Sequence, residues 1–391
     1  MSDSIPFPRK DIPRLRARGG FAMAMALGAI VVIGLLIAGA FFISTQQSRT
    51  GRSVLSQEDA FRIAEAGLAQ TVTEWKADSA PTANGQSWLR TQVVVPNTPV
   101  NFRPDVKVTR LNSDLYQILS EASVGSAGGV RTESVRRVSQ LVRVVGPTFN
   151  IRGALTVRGQ TKIGGSSLVD GNDDNPAGWS CDAEGPAKPG IAIADPNQIS
   201  RSGCNNWSCV DGDPKIATDP IAGQTSTYFT FGDFAWADLV SMANIVVTTN
   251  NFAPAPAFIN GRCDDSRQTN WGDVNRLLPK GVCESYFPII YYPGNAKLTG
   301  GTGQGILLVE GDLEVQGQFR FYGPVIVRGR LKTAGTGGHF NGAVMAANVD
   351  LEENSVLGNA VVNYSSCAVA TAVRQAGRAR PVVQRSWAEL Y

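Results

Sequence analysis

The sequence predicts an α+β protein in which a long N-terminal transmembrane and amphipathic helix precedes a mainly β head. The head is expected to contain parallel β-helix-like coils and a disulfide-containing insertion. Three observations predict this class: residues 21–43 carry no charge, residues 46–77 contain no proline, and strand-like segments recur near the C-terminus. The 391 residues are 43% hydrophobic and 18% charged, which suits a buried core and excludes a wholly disordered chain.

The net charge of +3 is concentrated in the first 20 residues. Five basic and two acidic side chains lie there: Arg9, Lys10, Arg14, Arg16, Arg18, Asp3 and Asp11. The rest of the chain is neutral, which argues against nucleic acid as a partner. The single histidine, His339, disfavours a multi-histidine metal centre and a histidine-dependent catalytic triad.

The uncharged run at residues 21–43 is long enough to cross a membrane. As a helix it spans roughly 34 Å, compared with a bilayer core of ~30 Å. It is longer than a secretory h-region, and no small-residue cleavage pattern follows it. Because most flanking basic residues precede it, we expect an inner-membrane protein with a periplasmic head. A plain signal anchor is the alternative.

The residues after the span predict an amphipathic continuation of the same helix. Val54, Phe61, Leu68 and Trp75 are seven residues apart, and Ala64 and Val72 occupy intervening steps. This spacing places an apolar stripe on one helix face. A helix over residues 21–77 would be roughly 85 Å long.

The residues at the start of the span resemble a known leader. Arg18-Gly19-Gly20-Phe21 is similar to the leader of type IV prepilins, which implies cleavage by prepilin peptidase between Gly20 and Phe21 and a leader at residues 1–20. Residues 57–68, which include Glu65, resemble the corresponding segment of PilX-type minor pilins. The resemblance covers about residues 14–75. It implies a helix that assembles with other pilins and minor pilins in a pilus, which would display the head outside the cell.

One position departs from the pattern of major pilins. Their fifth mature residue is usually a glutamate, whereas Met25 stands here. The departure suggests a low-abundance subunit that is assembled into the filament or caps it. Two functions fit this leader and helix: a minor pilin-like structural subunit of a type IV pilus system, which we prefer, and a type II secretion pseudopilin at a filament tip.

Residues 78–147 are expected to form a small β region that packs on the helix. Residues 78–100 read as a linker, and strand-rich runs follow to residue 145. These runs suit an antiparallel sheet. Arg136, Arg137 and Arg143 are expected on its solvated face.

A repeat predicts stacked coils in the head at residues 148–367. Similar segments begin at Ile306, Val325, Ala343 and Ala360, and a related one begins at Ala154. A period near 18 residues is typical of a parallel β-helix, and a sandwich of sheets is the alternative. We expect the first coil at 148–170, later coils at 300–366 and an insertion at 171–299. Residues 368–391 are predicted to be a C-terminal cap or surface segment.

The chain has six cysteines: Cys181, Cys204, Cys209, Cys263, Cys283 and Cys367. Their predicted location outside the cytoplasm favours disulfides. Six cysteines allow fifteen pairings, among which we favour Cys263–Cys283 and either Cys181–Cys204 or Cys204–Cys209. The loose C-x4-C spacing and the lack of neighbouring histidines argue against zinc.

An acidic loop is a candidate calcium site, the one cofactor that the sequence suggests. Asp170, Asn172 and Asp174 are closely spaced oxygen ligands. The loop is not an EF-hand, because Cys181 stands where the twelfth-position glutamate would be. An Asx-rich turn is the alternative.

No nucleophile elbow, phosphate-binding loop or dinucleotide fingerprint is present, so we expect no enzymatic activity. A membrane-anchored carbohydrate-active β-helix enzyme remains the rival class. It would need clustered charges on adjacent coils, for which the candidates are Glu310, Asp312, Glu314, Arg328, Arg330 and Lys332.

Overall fold

The computed structural model describes residues 19–75, 83–96, 103–125, 132–275, 278, 281–348, 353–383 and 386–390. The predicted α+β class is confirmed. One long helix leads into an antiparallel sheet, and a parallel β-solenoid follows. Most of the predicted leader, residues 1–18, lies outside the described residues.

The first helix, α1 (Gly19–Thr73), is a single element of 55 residues. It is roughly 80 Å long at ~1.5 Å per residue. It begins two residues before the predicted start at 21 and ends four residues before the predicted end at 77. Its side chains are exposed over almost all of residues 23–55, and its last third packs on the sheet.

The sheet next to α1 begins with four antiparallel strands. They are β1 (Ser87–Arg90), β2 (Asp105–Arg110), β3 (Leu115–Gly125) and β4 (Thr132–Val145). Burial alternates along β3, where Tyr116, Ile118 and Ala122 face the core. This period of two leaves one sheet face for the helix.

The solenoid starts with seven short parallel strands. They are β5 (Leu155–Val157), β6 (Thr161–Gly164), β7 (Leu168–Asp170), β8 (Ile191–Ile193), β9 (Ile199–Ser202), β10 (Val210–Asp211) and β11 (Ile216–Thr218). Each full turn has three strands, and successive turns stack through β5–β8, β6–β9 and β7–β10.

A crossing segment then runs to the other end of the solenoid. Its strands and helix are β12 (Thr230–Phe231), β13 (Phe234–Ala235), α2 (Trp236–Ser241), β14 (Ile245–Val246), β15 (Phe258–Ile259) and β16 (Arg262–Cys263). Single 3-10 turns occur at Pro196–Gln198 and Asn205–Trp207 within the first solenoid turns, and at Pro220–Gly223 and Thr225–Tyr228 at the start of the crossing segment.

The remaining turns run back towards the middle of the solenoid. Their strands are β17 (Ile289–Tyr292), β18 (Ala296–Leu298), β19 (Thr302–Gln304), β20 (Ile306–Val309), β21 (Leu313–Val315), β22 (Phe319–Val327), β23 (Leu331–Thr333), β24 (Gly338–Ala346), β25 (Asn354–Val356) and β26 (Val361–Tyr364). Strands β22 and β24 each form two sides of the solenoid, and they bend at glycines between those sides. A Cβ on Gly323, whose φ is +128°, would overlap the Gly305 carbonyl oxygen.

The first and last turns of the solenoid meet at a seam in its middle. Strand β24 pairs with β5, β25 with β6 and β26 with β7. The chain therefore enters in the middle, winds to one end, crosses back and winds inward from the other end. The predicted insertion at 171–299 is wrong in this respect, since that range supplies strands β8–β11, β14, β17 and β18.

The C-terminal segment differs from the predicted cap. Helix α3 (Ser366–Gln375) packs on β22 and β24. Strands β27 (Arg378–Pro381) and β28 (Trp387–Leu390) then pair with β4 and complete the antiparallel sheet. The chain thus returns to the helix-bound sheet after the solenoid is built.

Candidate assembly helix and head surfaces

The first part of α1 is long and apolar enough to cross a membrane, and none of its most apolar window is buried. Gly20 and Phe21, the predicted cleavage pair, lie in the first turn of α1. Met25 is 63% exposed and has no acidic neighbour in residues 21–43. This half of the helix offers an uncharged apolar surface that no other described residue covers.

The second part of α1 contacts the sheet through small side chains. The buried positions share one helix face: Ser56, Ala60, Ala64, Gly67, Leu68 and Thr71. Gly67 shows how close the contact is, because a Cβ there would overlap Pro104 and lie 2.9 Å from Ser120 Oγ. Small residues at i, i+4 spacing let the helix backbone approach the sheet closely.

Large aromatic residues flank this small-residue contact. Phe61 packs edge-on against Trp387 at 6.0 Å between ring centroids, and Trp75 packs edge-on against Tyr116 at 4.9 Å. Leu68 is buried in the same cluster. Both ends of the contact are therefore fixed by aromatic pairs, one of which involves the C-terminal strand.

The predicted heptad stripe is only partly the buried face. Leu68 lies in the core and Phe61 and Trp75 lie at its margin, but Val54 is 56% exposed. The sheet does not extend to the helix turn that carries Val54, so Val54 and its neighbour Leu55 are both exposed. Glu65 is also exposed. Ala60 and Gly67 are not part of the heptad pattern, and the recurrence of small residues at i, i+4 is the signal that indicates them.

The three arginines expected on a solvated face differ in environment. Arg136 is mostly buried, donates to Gln57 Oε1 at 2.6 Å and lies 3.3 Å from Glu389. It therefore ties α1 to β28. Arg143 is exposed, and its hydrogen bond and charge lower the pKa of Asp114.

All six cysteines are paired, as Cys181–Cys367, Cys204–Cys209 and Cys263–Cys283. The alternative Cys181–Cys204 is not formed, because Cys204 is bonded to Cys209, five residues further along the chain. Cys181 instead reaches the first turn of α3, beside the seam. This bond closes the largest loop of the three, with a separation of 186 residues.

The side chains of the predicted calcium loop bind the loop itself and α3. Asp170 Oδ1 accepts hydrogen bonds from the amide and side chain of Asn172 at 2.9 and 2.8 Å. Asp173 accepts from the Ser366 amide at 2.7 Å. Burial and the charges of Asp170, Glu184 and Asp173 raise the pKa of Asp174. Within the described ranges no three His, Cys, Asp or Glu side chains are arranged to hold a metal, and calcium stays a prediction.

The charged candidates on the coils form ion pairs between successive turns. They are Glu310–Arg328, Asp312–Arg330 at 2.6 Å and Lys297–Glu314 at 3.0 Å. Lys332 follows Glu314 in register on the next turn. Burial alone would raise the pKa of Asp312, but the hydrogen bonds and charge of Arg330 lower it. These three ion pairs, here called the charge ladder, give each of the three acids a basic partner and stabilise the stacking of the turns.

The crossing segment covers one end of the charge ladder. Trp236 Nε1 donates to Glu310 Oε2 at 2.9 Å, and the Arg328 guanidinium lies 4.5 Å from the Phe229 ring centroid. Cation–π and hydrogen-bond contacts thus hold the crossing segment on the solenoid wall.

Comparisons with known proteins leave the family of the chain unassigned. No family model matches it, and no curated protein matches it. Among solved structures, the chain is similar to the competence-associated pilin ComZ from Thermus thermophilus, at 13% sequence identity and a TM-score of 0.25. That alignment covers 86% of this chain and 97% of the other. A TM-score this low does not establish a shared fold.

Proposed function

We propose that the chain is a minor pilin-like structural subunit of a type IV pilus system. Residues 21–43 anchor it in the inner membrane, prepilin peptidase cleaves it after Gly20, and the mature protein assembles into the filament or caps it. The observation that carries the proposal is α1. It is one uninterrupted helix whose first half is apolar and exposed among the described residues, while its second half holds the head.

Assembly follows from the physical chemistry of this helix. In lipid the apolar half has no hydrophobic gain from meeting another helix, so close packing of small residues drives association. Residues 21–43 contain several, among them Gly28, Gly34 and Gly39, and a Cβ at any of the three would have no atom of another described element within 4 Å. Neighbouring pilin helices can therefore approach at these positions.

Met25 supports a position at the filament tip. A carboxylate within the membrane is costly unless a partner charge neutralises it. A subunit with no pilin above it has no such partner, and an uncharged methionine removes the cost. A type II secretion pseudopilin at a filament tip would use the same helix and stays the alternative.

The charged residues of the coils favour an assembly role over catalysis. Glu310, Asp312 and Glu314 each pair with a base on an adjacent turn. A glycoside-cleaving site needs two carboxyl groups facing a common sugar. We therefore assign no chemistry to the head.

Cysteine crosslinking in native membranes tests the assembly role. All six cysteines are disulfide-bonded, so Val54→Cys introduces one free thiol on the exposed helix face. A thiol-reactive crosslinker should join this variant to another pilin-like subunit, identified by mass spectrometry. The control is Val383→Cys, which places a thiol on a 97% exposed side chain of the head.

Equal crosslinking from both positions, or none from Val54→Cys, would contradict packing through α1. Recovery of the crosslinked species from sheared surface filaments favours a pilus subunit. Its restriction to the cell envelope favours the secretion pseudopilus.

A further inference from the structure

A cleft of about 1000 Å³ lies between the helix-bound sheet and one end of the solenoid. Its walls come from the end of α1, strands β1 and β2, the hairpin β15–β16 and the loop at residues 282–287. It opens roughly 45 Å along α1 from the end of the apolar run, because 30 residues separate Ile43 from Thr73. The membrane therefore leaves it open to the surroundings.

Aromatic rings form much of the cleft surface. Trp75, Trp88, Tyr286 and Phe287 are all half-buried, so each keeps part of its ring accessible. The Tyr286 hydroxyl is protonated at neutral pH and can donate a hydrogen bond, and burial and the nearby Asp265 raise its pKa further, to about 12. Trp75 Nε1 is a buried donor without an acceptor among the residues described.

Planar polar side chains stand among these rings. Arg90 lies 3.2 Å from Glu74 and 5.8 Å from the Trp88 ring centroid. Arg262 projects from the hairpin, and its guanidinium has no ion pair or side-chain hydrogen bond within the described part of the chain. Asp265 lines the same wall. Guanidinium and carboxylate groups present paired donors or acceptors in one plane.

The wall that carries Arg262 is held in place before any ligand arrives. The Cys263–Cys283 disulfide joins the hairpin to the loop that presents Tyr286 and Phe287. Asn270 and the Ala257 carbonyl add a hydrogen bond of 3.0 Å beneath the hairpin. A site that is fixed in advance loses less conformational entropy on binding.

We propose that this cleft binds a short oligosaccharide. A sugar ring offers C–H faces that pack on aromatic rings and vicinal hydroxyls that match planar guanidinium and carboxylate groups. The cleft supplies both kinds of group, and its volume is within the range of small-molecule sites. Aliphatic side chains are a minority of its lining, which distinguishes it from a groove for an apolar helix. The proposal does not depend on the filament role.

A glycan array tests the proposal, followed by calorimetric titration of the best-bound glycan. The full-length protein is used in lipid nanodiscs, because a sugar-headed detergent would compete for the cleft. The array holds neutral and uronic-acid-containing oligosaccharides of two to six residues. Trp88→Ala and Arg262→Ala remove one aromatic face and the unpaired guanidinium.

Each change has a matched control close by. Leu89→Ala alters the exposed neighbour of Trp88 on the same strand, and Arg267→Ala alters an exposed arginine near Arg262 that pairs with Asp264. We expect Trp88→Ala and Arg262→Ala to weaken binding about tenfold or more, and the controls to leave it within about twofold.

Three results would overturn the assignment. The first is an array on which no glycan binds the wild-type protein. The second is glycan binding that Trp88→Ala and Arg262→Ala leave unchanged. The third is selective binding of linear peptides that both variants abolish, which would make the cleft a peptide site.

Discussion

Gly67→Ala tests the close contact between α1 and the antiparallel sheet. The added Cβ would overlap Pro104 Cγ and lie 3.0 Å from Pro104 Cβ and 2.9 Å from Ser120 Oγ. Overpacking of this kind costs about 1–3 kcal/mol, whereas alanine gains up to about 1 kcal/mol in helix propensity over glycine. We expect a net loss of about 0–2 kcal/mol in the free energy of unfolding, measured by urea denaturation with tryptophan fluorescence.

Gly51→Ala is the matched control, because a Cβ at Gly51 has no atom within 4 Å. Gly51→Ala has the same gain in helix propensity without the overlap, so the free energies of unfolding of the two variants should differ by about 1–3 kcal/mol. Adding Pro104→Ala to Gly67→Ala should recover part of the loss, since the two sites are in contact. If Gly67→Ala stabilises the protein as much as Gly51→Ala does, the helix does not press on the sheet as described.

Three further predictions concern the solenoid. Asn354→Ala should lower the free energy of unfolding by about 2–3 kcal/mol in urea denaturation, because the buried amide bridges the seam to the Gln160 carbonyl; Ser355→Ala is the control and should change little. Removing the Cys181–Cys367 bond by a double serine variant should lower the free energy of unfolding by up to about 5 kcal/mol, because the bond closes a loop of 186 residues; an unchanged urea midpoint would contradict this stabilising role. Asp312 has a lowered folded pKa, so its stabilisation is full above the unfolded pKa of about 4 and is lost as the pH falls through the folded value. The melting temperatures of wild type and Asp312→Asn should therefore differ at pH 7 and converge near pH 2, and a gap independent of pH would refute this.

Local composition determines what could be predicted about α1. Its apolar run and proline-free continuation are contiguous in sequence, so the helix and its change of character at the membrane boundary are readable directly. The buried face was harder to predict, because the heptad reading counted large side chains. Besides Ala64, which the predicted stripe includes, the sheet accepts the small residues Ala60 and Gly67, and it places Phe61 and Trp75 at the margins.

The order of the solenoid turns in space is not the order in the chain. The repeat at Ile306, Val325 and Ala343 has long apolar strands that show a clear period. Strands β10 and β14 have two residues each, too few to show any period. The seam between β5 and β24 joins residues almost 190 positions apart, and no local signal predicts such a pairing.

The assembly helix and the cleft also differ in how far the sequence predicts them. The assembly helix is visible in sequence because one segment carries it. The cleft is built from α1, β1, a hairpin near residue 260 and a loop near residue 285, which only the tertiary structure brings together. The long-range Cys181–Cys367 bond was likewise beyond the local spacing rules that favoured nearby partners.

The mature N-terminus is the measurement that tests the proposed function most directly. Mass spectrometry of the protein from native membranes and from sheared surface filaments should find a peptide that begins at Phe21. That peptide in the filament fraction would establish processing after Gly20 and export with the filament. A protein that retains Met1 and the basic leader in every fraction would contradict the pilin-like role and leave a signal-anchored head.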